Sequence, residues 1–301
     1  MAVSASTRDS VRRAVEPAPN AERLREFAFR ATLIGSTLVG LLFLVVLIVD
    51  VARDGIPLLS ADFLTSFPSR VFPENSGVRS ALIGTLLLIV CVALFIVPVG
   101  VATAVYLEEY ADRDRWWNRL IELNIQNLAA VPSVVYGILG LAFLVRGPLD
   151  LGRVVLAGAL TLGLLVLPVV IVVSREAIRA VPPSIREGSL ALGATQWQTI
   201  WRQVLPGSLA GIATGVILAL SRAIGETAPL ILVGAVAFAR FDPSGLLSSF
   251  SALPIQILEA VTDSDPAFRD LAAAAILVLL AILLVMNSVA IYLRNRYETK
   301  W

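Results

Sequence analysis

Apolar residues in this chain gather into six long runs separated by shorter polar stretches. The runs are Ala31 to Val49, Ser80 to Leu107, Leu123 to Val145, Val154 to Ser174, Pro206 to Phe238 and Leu271 to Leu293. A helix needs about 20 apolar residues to cross a bilayer, so the pattern predicts an all-α polytopic membrane protein with six spans. Pro98, Pro132 and Pro168 interrupt the second, third and fourth runs, and the third also holds Asn124 and Asn127. The first run is longer than a signal-peptide core of about 7–15 residues and reads as an uncleaved span. Residues 1–27 are polar and mixed in charge, with Pro17 and Pro19, and read as a flexible cytoplasmic tail. Residues 28–301 then form the transmembrane domain.

Six spans place both chain ends on one side. With the ends inside, the inner segments hold 16 of the 24 Lys and Arg residues and the outer segments 7, and Arg222 lies within a span. Basic loops stay on the cytoplasmic side, so both termini are expected in the cytoplasm. Two outer segments, 50–79 and 240–269, are longer than turns, and the first carries Phe63, Phe67 and Phe72. They read either as caps over span ends or as a docking surface for an external partner.

The inner segment 180–206, "AVPPSIREGSLALGATQWQTIWRQVLP", leaves the bilayer but keeps a helical pattern. Ser184 and Glu187 have capping-box spacing, as do Thr195 and Gln198. A short helix is expected over 185–192, ended by Gly193 in the left-handed position. A second short helix is expected to run to about Val204. Pro206 then opens the fifth span at a tolerated first-turn position. The spacing alone fits an ordinary well-capped loop or a stiff lever.

Charge inside the fifth run changes the picture. Arg222 and Glu226 stand four residues apart, with Gly225 beside the Glu and Pro229 beyond it. An ionised side chain at bilayer depth costs about 2.5–3.5 kcal/mol on insertion scales. Pro229 cannot donate the hydrogen bond that would run to the Gly225 carbonyl, which loosens the backbone beside Glu226.

Composition then narrows the chemistry. The chain is 57% hydrophobic and 16% charged, against about 25% charged residues in soluble domains. It has no His, one Cys (Cys91), one Lys (Lys300) and a net charge of +1. No imidazole base, intrachain disulfide or metal site of the usual His type is available, and no cofactor is expected. The balance of charge gives no sign of a nucleic-acid partner. A phosphate-binding P-loop needs a Lys within its Gly-rich loop, so ATP hydrolysis, if it drives this chain, belongs to another subunit. Without His, paired Cys or an acidic cluster in the spans, a membrane-embedded enzyme is disfavoured.

The inner segment resembles the cytoplasmic signature of ABC-importer permeases, E-A-A, three residues, G, nine residues, I-x-L-P. Glu187, Gly188, Ser189, Gly193, Leu205 and Pro206 match in spacing. Gly188 and Ser189 replace Ala, and Gln203 replaces Ile. Further stretches are similar to the PstA family of phosphate-importer permeases: "FLTSFPSR" (63–70), "SGVRSALIGTL" (76–86), "NIQNLAAVPSVVYGILGLAF" (124–143), "VPPSIREGSLALGATQWQTI" (181–200) and "SRAIGETAPLILVGA" (221–235). The "GETAPL" ending separates it from the sister PstC permeases. The resemblance implies the MetI-like fold of type I importers in a bacterial inner membrane. It also implies a PstC-like second permease, two PstB-like ATPases, a PstS-like external binding protein, inorganic phosphate as substrate, and membrane lipid around the spans. Glu187, Gly193 and Ala194 would then belong to the helix that couples to the ATPase.

Within that resemblance Arg222 and Glu226 have two readings. They form a self-neutralising pair, since residues i and i+4 share a helix face. Or Arg222 lies on a phosphate path, because guanidinium matches a phosphate edge with two parallel hydrogen bonds. Glu226 repels phosphate and has three roles open to it: a gate that holds Arg222 until substrate arrives, a pair with the second permease, or a proton site. Asn127, Ser133 and Tyr136 either line the path or make interhelical hydrogen bonds. A permease for another oxyanion and a proton-coupled secondary transporter are the alternative functions.

Overall fold

The structure is a computed structural model, and residues 20–112 and 114–297 are described. Most of the expected tail, residues 1–19, lies outside them. The chain divides into two compact units, Met1–Val51 and Ala52–Trp301. The first is, over its described residues, part of helix α1 (Asn20–Gly55), which is already helical over 20–27. At 1.5 Å per residue α1 is about 54 Å long, more than a bilayer core requires.

Among its described residues, the second unit is helical throughout its regular structure. After the short α2 (Ala61–Thr65) come α3 (Arg79–Val105), α4 (Trp116–Ala129), α5 (Ser133–Leu139) and α6 (Val155–Arg179). Then follow α7 (Pro183–Ala191), α8 (Gln196–Thr199), α9 (Leu205–Gly225), α10 (Ala228–Val233), α11 (Leu253–Thr262) and α12 (Pro266–Tyr297). Wide π-helical turns extend α3 over Tyr106–Tyr110 and α5 over Gly140–Val145, and join α8 to α9 over Ile200–Val204. Among the described residues, five helical stretches are long and apolar enough to cross a membrane, or six if the bent α4–α5 pair is one span.

Two expected spans differ in form. The third run is not one helix: α4 and α5 meet at 109°. Pro132 has no N–H to donate and pushes Val131 out of helical geometry, so the chain turns at 130–132. The fifth span ends at Gly225 instead of Phe238, because Pro229 cannot continue the ladder. The inner segment differs too. Pro183 takes the first helical position, so Ser184 lies inside α7 and caps nothing. The expected second short helix, α8 with the π turn to Val204, is not separate but the foot of one rod, Gln196–Gly225. The π turn at 200–204 comes just before Pro206, where an i→i−4 bond is missing in any case.

Helix α6 is the hub. Its neighbours α3 and α9 contribute Leu88, Val92, Ile96, Ala219 and Ala223 to one core with Leu162, Val166 and Val170. Lipid tails are as apolar as these side chains, so close packing by small residues must hold membrane helices together. Gly211 abuts Ala177 and Gly215 abuts Val173, letting α9 run antiparallel against α6. Extending that register brings Arg222 level with Val166, near the middle of α6. The lower end of the bundle is the one where α6 passes into α7.

Candidate functional site

At mid-height of α6 two helix breaks lie side by side. In the first, α9 stops at Gly225, and Glu226 leaves helical geometry at φ −78° and ψ 120°. In the second, the chain turns at Pro132 before α5, and the Tyr136 hydroxyl donates to the Leu128 carbonyl across the bend at 2.9 Å. The short helices beyond the breaks touch. A Cβ on Gly137 of α5 would lie 2.8 Å from the Cα of Pro229 in α10, so backbone meets backbone there.

The Arg222 Nε donates to Glu226 Oε1 at 3.2 Å. The Arg222 side chain is 42% exposed and that of Glu226 17%. Nη1 and Nη2 of Arg222 have no partner among the described residues. The expected i,i+4 pair therefore exists, but it occupies one edge of the guanidinium and leaves two terminal nitrogens open. Tyr136 stands within electrostatic range of Arg222. Ser133 is half-buried at the first position of α5, and Asn127 is exposed on the last turn of α4. No hydrogen bond joins either of them to Arg222 or Glu226 among the described residues. Beside Arg222, the Ser221 hydroxyl donates to Asn287 Oδ1 of α12 at 2.7 Å. Asn287 was legible only as a polar residue inside the last apolar run.

The lower end carries the second candidate. Helix α7 closes with the N–H of Gly193 on the Leu190 carbonyl at 2.9 Å and that of Ala194 on the Ser189 carbonyl at 3.2 Å. Gly193 has φ +83°, a conformation that glycine adopts without Cβ penalty. Thr195 then caps α8 in a full capping box with Gln198. The Ser189 and Thr199 hydroxyls lie 2.8 Å apart across the turn. The result is a stiff elbow leading straight into the rod that bears Arg222. Glu187 on its outer face is exposed, with no ion pair among the described residues, and Leu192 is 90% exposed. Gly188, Ser189 and Gln203, the three departures from the signature, all line one groove of about 370 Å³ in the elbow.

Above the elbow lies a network of charged groups that the apolar pattern did not reveal. Arg175 of α6 is buried and donates to Glu108 and to Glu122, each at 2.8 Å. Arg179 also donates to Glu108 at 2.8 Å. These bonds tie the lower ends of α3 and α6 to the middle of α4. Its signal in the sequence was the acid pair Glu108–Glu109 and the bases Arg175 and Arg179 at the ends of two apolar runs.

Comparison with known proteins places the chain. The family model for the binding-protein-dependent transport system inner membrane component matches residues 96–299. The phosphate transport system permease protein PstA 1 of Mycobacterium tuberculosis H37Rv is 34% identical over 82% of this chain and 79% of its own. PstA of Mycobacterium leprae is 37% identical over 77% of this chain and 76% of its own. A probable ABC transporter permease of Bacillus subtilis, YqgI, is 32% identical over 72% and 70%. Among solved structures, a bacterial ABC transporter involved in alginate import superposes with TM-score 0.62 at 18% identity, over 92% of this chain and 98% of that one. The MetNI methionine ABC transporter does so with TM-score 0.58 at 15% identity, over 74% and 95%. Their likeness is one of fold. The chain belongs to the family of binding-protein-dependent transport system inner membrane components, with the fold of ABC-importer permeases and a resemblance to the PstA permeases.

Proposed function

We propose that this chain is the transmembrane permease subunit of an ATP-driven phosphate importer, with both termini and the elbow in the cytoplasm. One observation carries the reading. Arg222 sits at half-height of the core, at a helix break, with one edge held by Glu226 and two terminal nitrogens open. Broken helices at the bilayer midplane are where transporters hold ions. A guanidinium offers phosphate a fork of parallel charge-assisted hydrogen bonds. Glu226 holds the Nε edge and so aims the open fork, and of its three roles we assign it the gate, which holds Arg222 until substrate arrives. Asn127 and Ser133 flank the neighbouring break at Pro132 and line the path. Gly225 and Pro229 supply the break itself.

Relatives named for phosphate transport support the choice of anion. The partners in this reading are a PstC-like permease, two PstB-like ATPases and a PstS-like binding protein, with hydrolysis in the ATPases. Glu187, Gly193 and Ala194 present the elbow to the ATPase. The test is uptake by the four-component complex in liposomes, comparing phosphate and sulfate at equal concentration with ATP inside. Phosphate should be taken up in preference; equal or preferred uptake of sulfate would overturn the assignment.

The elbow yields its own prediction. Gly193→Val forces a β-branched residue into φ +83°, at a cost of about 1–2 kcal/mol. The variant should insert normally but copurify with less ATPase. Normal copurification and normal uptake would remove the coupling role.

A further inference from the structure

Arg186 lies on α7, the outer helix of the elbow, yet its side chain turns inward and uses all three nitrogens. Nε and Nη2 donate to Glu109 Oε1 at 3.0 and 2.8 Å. Nη1 donates to the Val181 carbonyl at 2.6 Å, and Nη2 also donates to the Ile178 carbonyl at 2.8 Å. The pair is well covered, with Arg186 23% and Glu109 10% exposed. Glu109 sits in the π turn that ends α3, and its backbone carbonyl accepts a 2.6 Å hydrogen bond from Gln196, at the start of the rod. One residue of α3 thus meets the elbow and the foot of the Arg222 rod, and through Arg186 it is linked to the end of α6.

Helices α6 and α9 connect to the elbow through the chain itself. Helix α3 does not: Glu109 is 77 residues from Arg186. Among the described residues, the Glu108 bonds to Arg175 and Arg179 tie α3 to α6, whereas the Arg186–Glu109 pair, with the Gln196 bond to the Glu109 carbonyl beside it, ties α3 to the elbow itself. We propose that the Arg186–Glu109 pair is a positioning clamp that makes α3 move with the coupling elbow. This rests on the elbow's coupling role in the function proposed above. The clamp is built for traction. Two charge-assisted hydrogen bonds converging on one carboxylate oxygen resist separation, and the bonds to the Ile178 and Val181 carbonyls fix the guanidinium plane. When the elbow is displaced, α3 is drawn along its axis instead of being left behind. A bundle whose α3 lags would turn over ATP without completing the path for the anion.

The clamp is tested by the ratio of phosphate transported to ATP hydrolysed in the reconstituted complex. Glu109→Gln should assemble in near-normal amount and keep its ATPase, while the ratio falls at least about fivefold, a coupling loss of the size typical between linked sites. Arg186→Lys keeps the charge and the fold but cannot hold the carboxylate and both carbonyls, so it should show a smaller fall. Glu109→Gln in the Arg186→Lys background should lose little more than Glu109→Gln alone, because both changes break one contact. A merely structural pair would lower the amount of complex and leave the ratio untouched. An unchanged ratio in both single variants, or fully additive losses in the double, would overturn the clamp. The unaltered complex separates this from the wider reading: if it couples and the variants couple equally, the clamp alone fails, and if it does not couple, both fail.

Discussion

Arg222→Gln should cut phosphate uptake by the assembled complex about 10- to 100-fold, since a hydrogen bond to a charged group is worth about 1.5–3 kcal/mol and 1.4 kcal/mol is tenfold. Glutamine keeps hydrogen-bonding capacity and removes the charge. Insertion should be close to normal, because the change takes an ionised group out of the bilayer and leaves Glu226 near a helix break where it can be hydrated or protonated. Arg222→Lys should recover only part of the loss, as ammonium is a point charge without a fork. Uptake is read as radiolabelled phosphate in liposomes at matched protein. Full uptake in Arg222→Gln would reduce the pair to a structural contact between one turn of helix and the next.

The largest effect on stability is expected at Arg175. Its guanidinium is buried and donates to Glu108 and Glu122 at 2.8 Å. The Glu108 side chain is itself covered, at 3% exposure. Removing one partner of a buried pair strands the other charge and costs about 3–5 kcal/mol. Arg175→Gln should therefore lower the yield of folded protein in the membrane and the melting temperature of the detergent-solubilised complex. Arg179 still reaches Glu108 at 2.8 Å and limits the loss. The double variant Arg175→Gln with Glu108→Gln should be more stable than Arg175→Gln alone, since the covered Glu108 carboxylate is then gone and the remaining Glu122, 40% exposed, can be hydrated. Thermal unfolding monitored by intrinsic fluorescence checks both. An Arg175→Gln variant as stable as the parent would show that this network contributes nothing net.

These two arginines differ in how far the chain alone disclosed them. Arg222 stood out because it interrupts an apolar run, and its i,i+4 spacing to Glu226 gave the pairing directly. The elbow was also legible: Gly193 and the Thr195–Gln198 capping box are local signals, and both appear as spacing implied. The Ser184–Glu187 box did not form, because two prolines moved the start of α7 by two positions, from 185 to 183, and local spacing cannot register that shift. Helix breaks were half legible. Pro229 and Pro132 marked where a ladder fails, but hydropathy averages across a bend, so a 109° turn looked like one straight span. The Arg175 and Arg186 contacts were hidden for a different reason. Their partners, Glu108, Glu109 and Glu122, are 53 to 77 residues away in the chain, and pairing at that distance is set by how helices pack.

All of these features serve one claim: the chain is worked from its lower end by a nucleotide-hydrolysing partner, and the push reaches a charged break at mid-membrane. The most direct measurement is the energy source of uptake by the reconstituted four-component complex. The account predicts phosphate uptake that requires hydrolysable ATP and persists when the proton gradient is collapsed. Uptake that proceeds without ATP and follows an imposed proton gradient would contradict it.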